Sequence, residues 1–174
     1  SDVNFAPVIA NQSFTFAEHI GLGFHVATAS ATDSDAGQTI TYSIDSSSVP
    51  GAFSIGATGW IVVANNALID FETHPVITLV VRATDNGNPS QFSTATYTFN
   101  LTDKNDAPVV AQQTFSVPEN SLSGTVVGAV DAYDVDAGSQ TLTYSLLASQ
   151  IPGAFSINPV TGLLSVADGS VLDH

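Results

Sequence analysis

The chain has 174 residues, of which 2 are basic and 16 acidic, for a formal net charge of −14; cysteine is absent. Such a surface has almost nothing with which to neutralise nucleic-acid phosphates or anionic headgroups, so nucleic acid and charged membrane surfaces are excluded as partners, and thiol chemistry is absent. Hydrophobic residues make up 44% of the chain, enough for a core, but no run reaches the roughly 18 apolar residues of a spanning helix, so direct membrane insertion is not expected.

Along the chain the apolar residues alternate with a period of two and keep no helical period beyond two turns. Strands are expected near 12–17, 24–31, 39–45, 52–55, 60–64, 76–84 and 92–102. The last is the clearest: in Thr94 to Leu101 the residues Ala95, Tyr97, Phe99 and Leu101 share one face, and threonines and Asn100 the other. Thr58-Gly59, Pro50-Gly51 and the Asp85–Ser90 stretch supply turn chemistry between the runs. Seven short strands in about 100 residues predict an all-β, immunoglobulin-like sandwich.

The remainder of the chain repeats the first part. Ala6–His19 reappears as Ala107–Asn120, Ala31–Ile44 as Ala132–Leu146 with one insertion, Val49–Ile55 as Ile151–Ile157, and Thr58–Phe71 as Thr161–His174. The offset grows from 101 (Ala6 to Ala107) to 103 (Thr58 to Thr161), about the length of one small β domain. Two domains are therefore expected, 1–105 complete and 106–174 ending before its last two strands, joined end to end.

Thirteen of the 16 acidic residues lie in the repeated phrases or at their edges; Asp45, Asp131 and Asp168 are the three outside. Charge placed for solubility would scatter over outward strand positions. Here it gathers at strand ends and loops: Glu18 after the first strand, Asp33-x-Asp35 after the second, Asp70-x-Glu72, Asp85, and Asp103-x-Asn105-Asp106 before Ala107-Pro108. In that order, and partly repeated as Glu119, Asp134-x-Asp136 and Asp173, the set resembles the cadherin repeat in its bacterial form.

The resemblance implies Greek-key sandwiches that bind Ca2+ between successive repeats. Carried over by position, the middle junction would take Glu18, Asp70 and Glu72, then Asp103, Asn105 and Asp106 with the carbonyls of Lys104 and Ala107, then Asp134 and Asp136. Asp2, Asn4, Asp33, Asp35 and Asp85 would form a half-site at the N-terminal end, and Glu119 and Asp173 part of a distal one. Calcium takes six to eight oxygen ligands, more than one domain end supplies. The linker departs from the family in running Asp106 directly into Ala107, and Phe5 stands where the first linker would carry its second Asp.

The functional expectation is a non-enzymatic structural and adhesive module of a bacterial surface or secreted protein. Its partners would be neighbouring repeats of the same protein, with self-association and a cell-surface polysaccharide left open. The alternative is a carbohydrate-binding or spacer module attached to a polysaccharide-degrading enzyme. No histidine spacing suits zinc and no Gly-x-Ser-x-Gly occurs. Trp60, the single tryptophan, is read as a packing or exposed strand aromatic.

Overall fold

The computed structural model describes residues 3–136, 138 and 140–172. Asp2 and Asp173, assigned above to the two outer half-sites, lie outside the described residues. The chain divides into two compact units, Ser1–Lys104 and Asn105–His174.

Among the described residues of the first unit nine strands form. β1 (Val8–Ile9) pairs with β4 (Ala31–Thr32). A four-stranded sheet orders β2 (Gln12–Ala17), β9 (Phe92–Thr102), β8 (Val76–Thr84) and β5 (Thr41–Ser47). A three-stranded sheet orders β3 (His25–Thr28), β7 (Trp60–Val63) and β6 (Phe53–Ile55). The long expected strand at 24–31 is two strands: the chain leaves one sheet at Ala29, whose N–H donates to Gly59 O at 2.8 Å, and joins another at Ala31.

The period-two pattern becomes the core. Ile77, Leu79 and Val81 of β8 and Tyr97, Phe99 and Leu101 of β9 are buried and cluster with Ala27, Phe53, Ile61 and Val63 from the other sheet. Phe14, Phe53 and Tyr97 surround this centre, with Phe53 and Phe99 ring centroids 4.7 Å apart and Phe14 and Phe99 5.5 Å apart. Burial of these large side chains, at about 25 cal/mol per Å2, dominates the stability of the unit. Gly59 is obligatory for a local reason. Its φ is +92°, and a Cβ there would collide with the Ala29 carbonyl. Trp60 is 58% exposed and lies over His25, with ring centroids 4.6 Å apart.

The second unit repeats part of this plan. β10 (Val109–Val110) pairs with β12 (Ala132–Tyr133), and β11 (Val126–Ala129), β14 (Leu163–Val166) and β13 (Phe155–Ile157) form a three-stranded sheet. Residues 113–118 and 143–149, which match β2 and β5, are not strands. In the first unit those two segments pair with β9 and β8, and the described residues from 105 on contain no counterpart of either. Phe115 and Leu146, the counterparts of Phe14 and Ile44, are accordingly exposed, at 37% and 45%, while Ala154 and Val166 remain buried.

Candidate functional site: two acidic ends and a linker

At one end of the first unit Glu18 is the organising group. Parallel pairing of β2 with β9 matches Ala17 to Thr102 and carries the chain on so that Glu18 N–H donates to Thr102 O at 3.1 Å. His19 then adopts φ of 57°, an uncommon left-handed conformation that turns the chain away. Glu18 is 1% exposed. Its Oε1 accepts from Lys104 N at 2.8 Å and its Oε2 from Phe71 N at 2.7 Å; His19 Nε2 lies 3.7 Å from Oε2. The buried carboxylate thus ties the start of the linker to the loop after β7.

That loop presents the other two acids. Buried Ile69 and partly buried Phe71 anchor it to the core on either side of Asp70. Asp70 Oδ1 accepts from Glu72 N at 3.1 Å and Thr73 N at 3.3 Å. Burial pushes the Asp70 carboxyl up, but the bonds from Thr73 and Glu72 outweigh it and hold the group below its ordinary value. Glu72 goes the other way: burial raises it, and the charges of Glu18 and Asp103 raise it further. Carboxylate oxygens of Glu18, Asp70 and Glu72 all lie within 4.8 Å of one another. Three negative groups at that separation repel unless a cation sits among them.

The opposite end of the first unit brings Asn4, Asp33, Asp35 and Asp85 together. Phe5 N donates to Asp35 Oδ2 at 2.7 Å and Asp35 N to Asp33 Oδ1 at 2.9 Å. Asp85 is buried; its Oδ1 accepts from Gly87 N at 3.0 Å and Gln91 N at 2.9 Å, and its Oδ2 from Asn4 Nδ2 at 3.1 Å. Burial alone would raise the Asp85 carboxyl, yet the Gln91 and Gly87 donors carry it below its ordinary value. Gln38 Nε2 donates to Asn4 Oδ1 at 2.6 Å.

The second unit carries the same arrangement on its own linker. Asp106 N donates to Asp136 Oδ2 at 2.6 Å, Asp136 N to Asp134 Oδ1 at 2.9 Å, and Gln140 Nε2 to Asn105 Oδ1 at 2.6 Å. Lys104 and Ala107 flank these residues in sequence, whereas Glu119 is exposed. Its counterpart Glu18 is buried and accepts from two backbone donors, one of them Lys104, two residues past β9.

The donor set fits calcium. It consists of carboxylate, amide and carbonyl oxygens, with neither thiolate nor paired imidazoles. Asp33 Oδ2, Gln38 Oε1 and Asp136 Oδ1 are moreover buried without a hydrogen-bond partner. Buried acceptor oxygens with no donor are costly, and a cation satisfies them. Gln38 and Gln140 are absent from the residue set expected from sequence. The signal was available: both follow the repeated Asp-x-Asp-Ala-Gly phrase, with one inserted residue in the second copy.

The profile of the cadherin domain matches residues 12–102 and 113–173. The chain is 36% identical over 159 residues to human Protocadherin Fat 1, and 38% identical over 173 residues to the Cadherin EGF LAG seven-pass G-type receptor fmi-1 of Caenorhabditis elegans. These alignments cover 87% and 94% of this chain but 3% and 6% of the relatives, so the chain spans a small fraction of their length. Among solved structures, mouse Protocadherin-24 EC1-3 superposes with a TM-score of 0.66 at 26% identity, covering 96% of this chain and 57% of that one. Protocadherin Gamma B2 extracellular cadherin domains 3-6 gives 0.57 at 30% identity, covering 97% and 45%. The curated relatives named here are animal proteins and lend no support to a bacterial source. Fold, repeat and the matched profile agree: the chain belongs to the cadherin domain family.

Proposed function

We propose that this chain is a calcium-binding structural and adhesive segment of an extracellular protein, in which Ca2+ stiffens the connection between successive repeats. The observation that carries the reading is the Glu18–Asp70–Glu72 cluster, whose carboxylate oxygens lie within 4.8 Å of one another around a buried, doubly hydrogen-bonded Glu18. Glu18, Asp70, Glu72 and Asp103 would supply ligands from the first unit. Asn105, Asp106, Asp134 and Asp136 would supply them from the second, with the carbonyls of Lys104 and Ala107. The bound ion supplies charge compensation; the chain's own part is to hold these oxygens in place before it arrives. Asn4, Asp33, Asp35 and Asp85 are proposed as the corresponding half of a site shared with a preceding repeat.

The mechanism is mechanical. Clustered carboxylates repel one another in the metal-free chain, and a divalent cation turns the same charges into a clamp. Extracellular calcium modules bind at about 10⁻⁴ to 10⁻³ M, and a ligand at 100-fold over its dissociation constant stabilises by about 2.7 kcal/mol. Melting and small-angle scattering, compared in calcium and in chelator, test this. The expected result is a higher Tm and a longer, narrower distribution of maximum dimension with calcium. Identical curves in both buffers would end the proposal.

A further inference from the structure

Within the first unit the side-chain amide of Asn4 is gripped at both its nitrogen and its oxygen, and its neighbours allow it one orientation. The nitrogen donates to Asp85 Oδ2 at 3.1 Å and to Pro89 O at 2.8 Å. A carboxylate and a carbonyl only accept, so Asn4 Oδ1 must face the other way. There it accepts from Gln38 Nε2 at 2.6 Å. We propose that Gln38 is a positioning residue that clasps Asn4 to the end of the first unit without metal and fixes the Asn4 oxygen on the side away from Asp85.

The surroundings are built for this amide. A Cβ on residue 87 would collide with it, so Gly87 leaves the space that Asn4 fills. The two loops that grip Asn4 are also tied to each other. Thr39, next to Gln38, donates its N–H at 2.9 Å to Oδ1 of Asn86, next to Asp85. Asp85 is held in turn by the N–H groups of Gly87 and Gln91, and its carbonyl accepts from Ser90 Oγ at 2.8 Å. Phe5 continues the attachment through its N–H to Asp35 Oδ2, at 2.7 Å. Gln38 shows which bond sets its own orientation. With Nε2 on Asn4, its Oε1 is buried without a hydrogen-bond partner. The side chain faces inward with the end that Asn4 requires, although the other end goes unsatisfied.

Only a donor at residue 38 completes this relay. Glutamate has the same length as glutamine but, ionised at neutral pH, only accepts; methionine has the same length and no donor. Either would keep the shape of the side chain and lose the clasp, which separates a hydrogen-bonding role from space filling. The clasp makes residues 4 and 5 part of the first unit before any ion arrives. That the fixed Asn4 oxygen then serves as a ligand rests on the calcium reading above; the clasp itself does not. The clasp is therefore tested in chelator, and a failed calcium reading would appear separately, as melting indifferent to calcium.

The test is 15N NMR of the whole chain in chelator, wild type against Gln38→Met and Gln38→Glu. Rigid amides have order parameters of about 0.85 and flexible ones fall below about 0.6. In the wild type the Asn4 and Phe5 backbone amides are expected at the rigid value. The Asn4 side-chain NH2 should exchange roughly tenfold more slowly than that of a solvated asparagine, because its bonds must open first. In both variants the order at Asn4 and Phe5 should fall toward the flexible value and the side-chain protection should vanish, with the Tyr97 and Phe99 amide shifts unchanged. An unprotected Asn4 NH2 in the wild type, or a Gln38→Met variant identical to wild type, would overturn the clasp. Should both variants shift Tyr97 and Phe99 as well, the wild-type Gln38 NH2 decides. Slow exchange of one of its protons supports the clasp, and unhindered exchange of both refutes it.

Discussion

Replacing Glu72 by Gln should change the stability of the first unit with opposite sign in chelator and in calcium. Glu72 is exposed, and its carboxylate has oxygens within 4.8 Å of those of Glu18 and Asp70. Its carboxyl is raised by burial and by the charges of Glu18 and Asp103, so it is charged at neutral pH only against the field of its neighbours. At 4.8 Å two unit charges interact by about 0.9 kcal/mol in water and about 3.5 kcal/mol at an effective dielectric of 20. Exposure places Glu72 near the first limit, and salt reduces it further, so the relief for two neighbours is about 1 kcal/mol in total. For a domain of this size that is a Tm rise of about 4 °C in chelator. In calcium about 100-fold over the wild-type dissociation constant the same change removes a ligand. A tenfold weaker site costs about 1.4 kcal/mol, which exceeds the relief and lowers Tm below wild type. Differential scanning calorimetry of both proteins in both buffers, at low ionic strength, measures the four values. A shift of the same sign in calcium and in chelator would show that Glu72 is neither repelled by the cluster nor a ligand.

Two further outcomes follow from the geometry. The Asp85 carboxyl is held below its ordinary value of 3.8, burial being outweighed by the Gln91 and Gly87 N–H donors; its stabilising contribution is complete above about pH 4 and is lost as pH falls through the depressed folded-state value. Acid titration in chelator of wild type and Asp85→Asn should therefore diverge above that pH and converge below it, and parallel curves throughout would contradict the assignment. Gly59→Ala forces a Cβ against the Ala29 carbonyl at φ of +92°, and should destabilise the first unit by about 1–3 kcal/mol in urea unfolding, the cost of left-handed strain before the collision is added; a loss below about 0.5 kcal/mol would mean that the turn relaxes freely.

Much of the site was legible as charge out of place. An acid at a strand end, repeated about a hundred residues later, has no core to enter and no reason to be where it is except its neighbours in space. That argument identifies Glu18 and Asp70, and the family resemblance adds Glu72; the fold brings the three within 4.8 Å of one another. It misses Gln38 and Gln140, because a neutral amide in a loop reads as a solvated turn residue. Only the hydrogen bonds to Asn4 Oδ1 and Asn105 Oδ1 show what they hold.

The sequence by itself determined the all-β class, the repeat, the faces of β8 and β9 and the order of the acidic phrases, since alternation and repetition are local properties of the chain. Tertiary structure decided which of the alternating segments become strands. Gln12–Ala17 and Thr41–Ser47 are strands, while their near-copies at 113–118 and 143–149 are not. A strand's N–H and C=O groups need a partner strand, and β9 and β8 provide it only in the first unit. The same holds for the carboxylates: Glu18 is 1% exposed because Lys104 and Phe71 bring their N–H groups to it, and Glu119, with the same place in the pattern, stays in water.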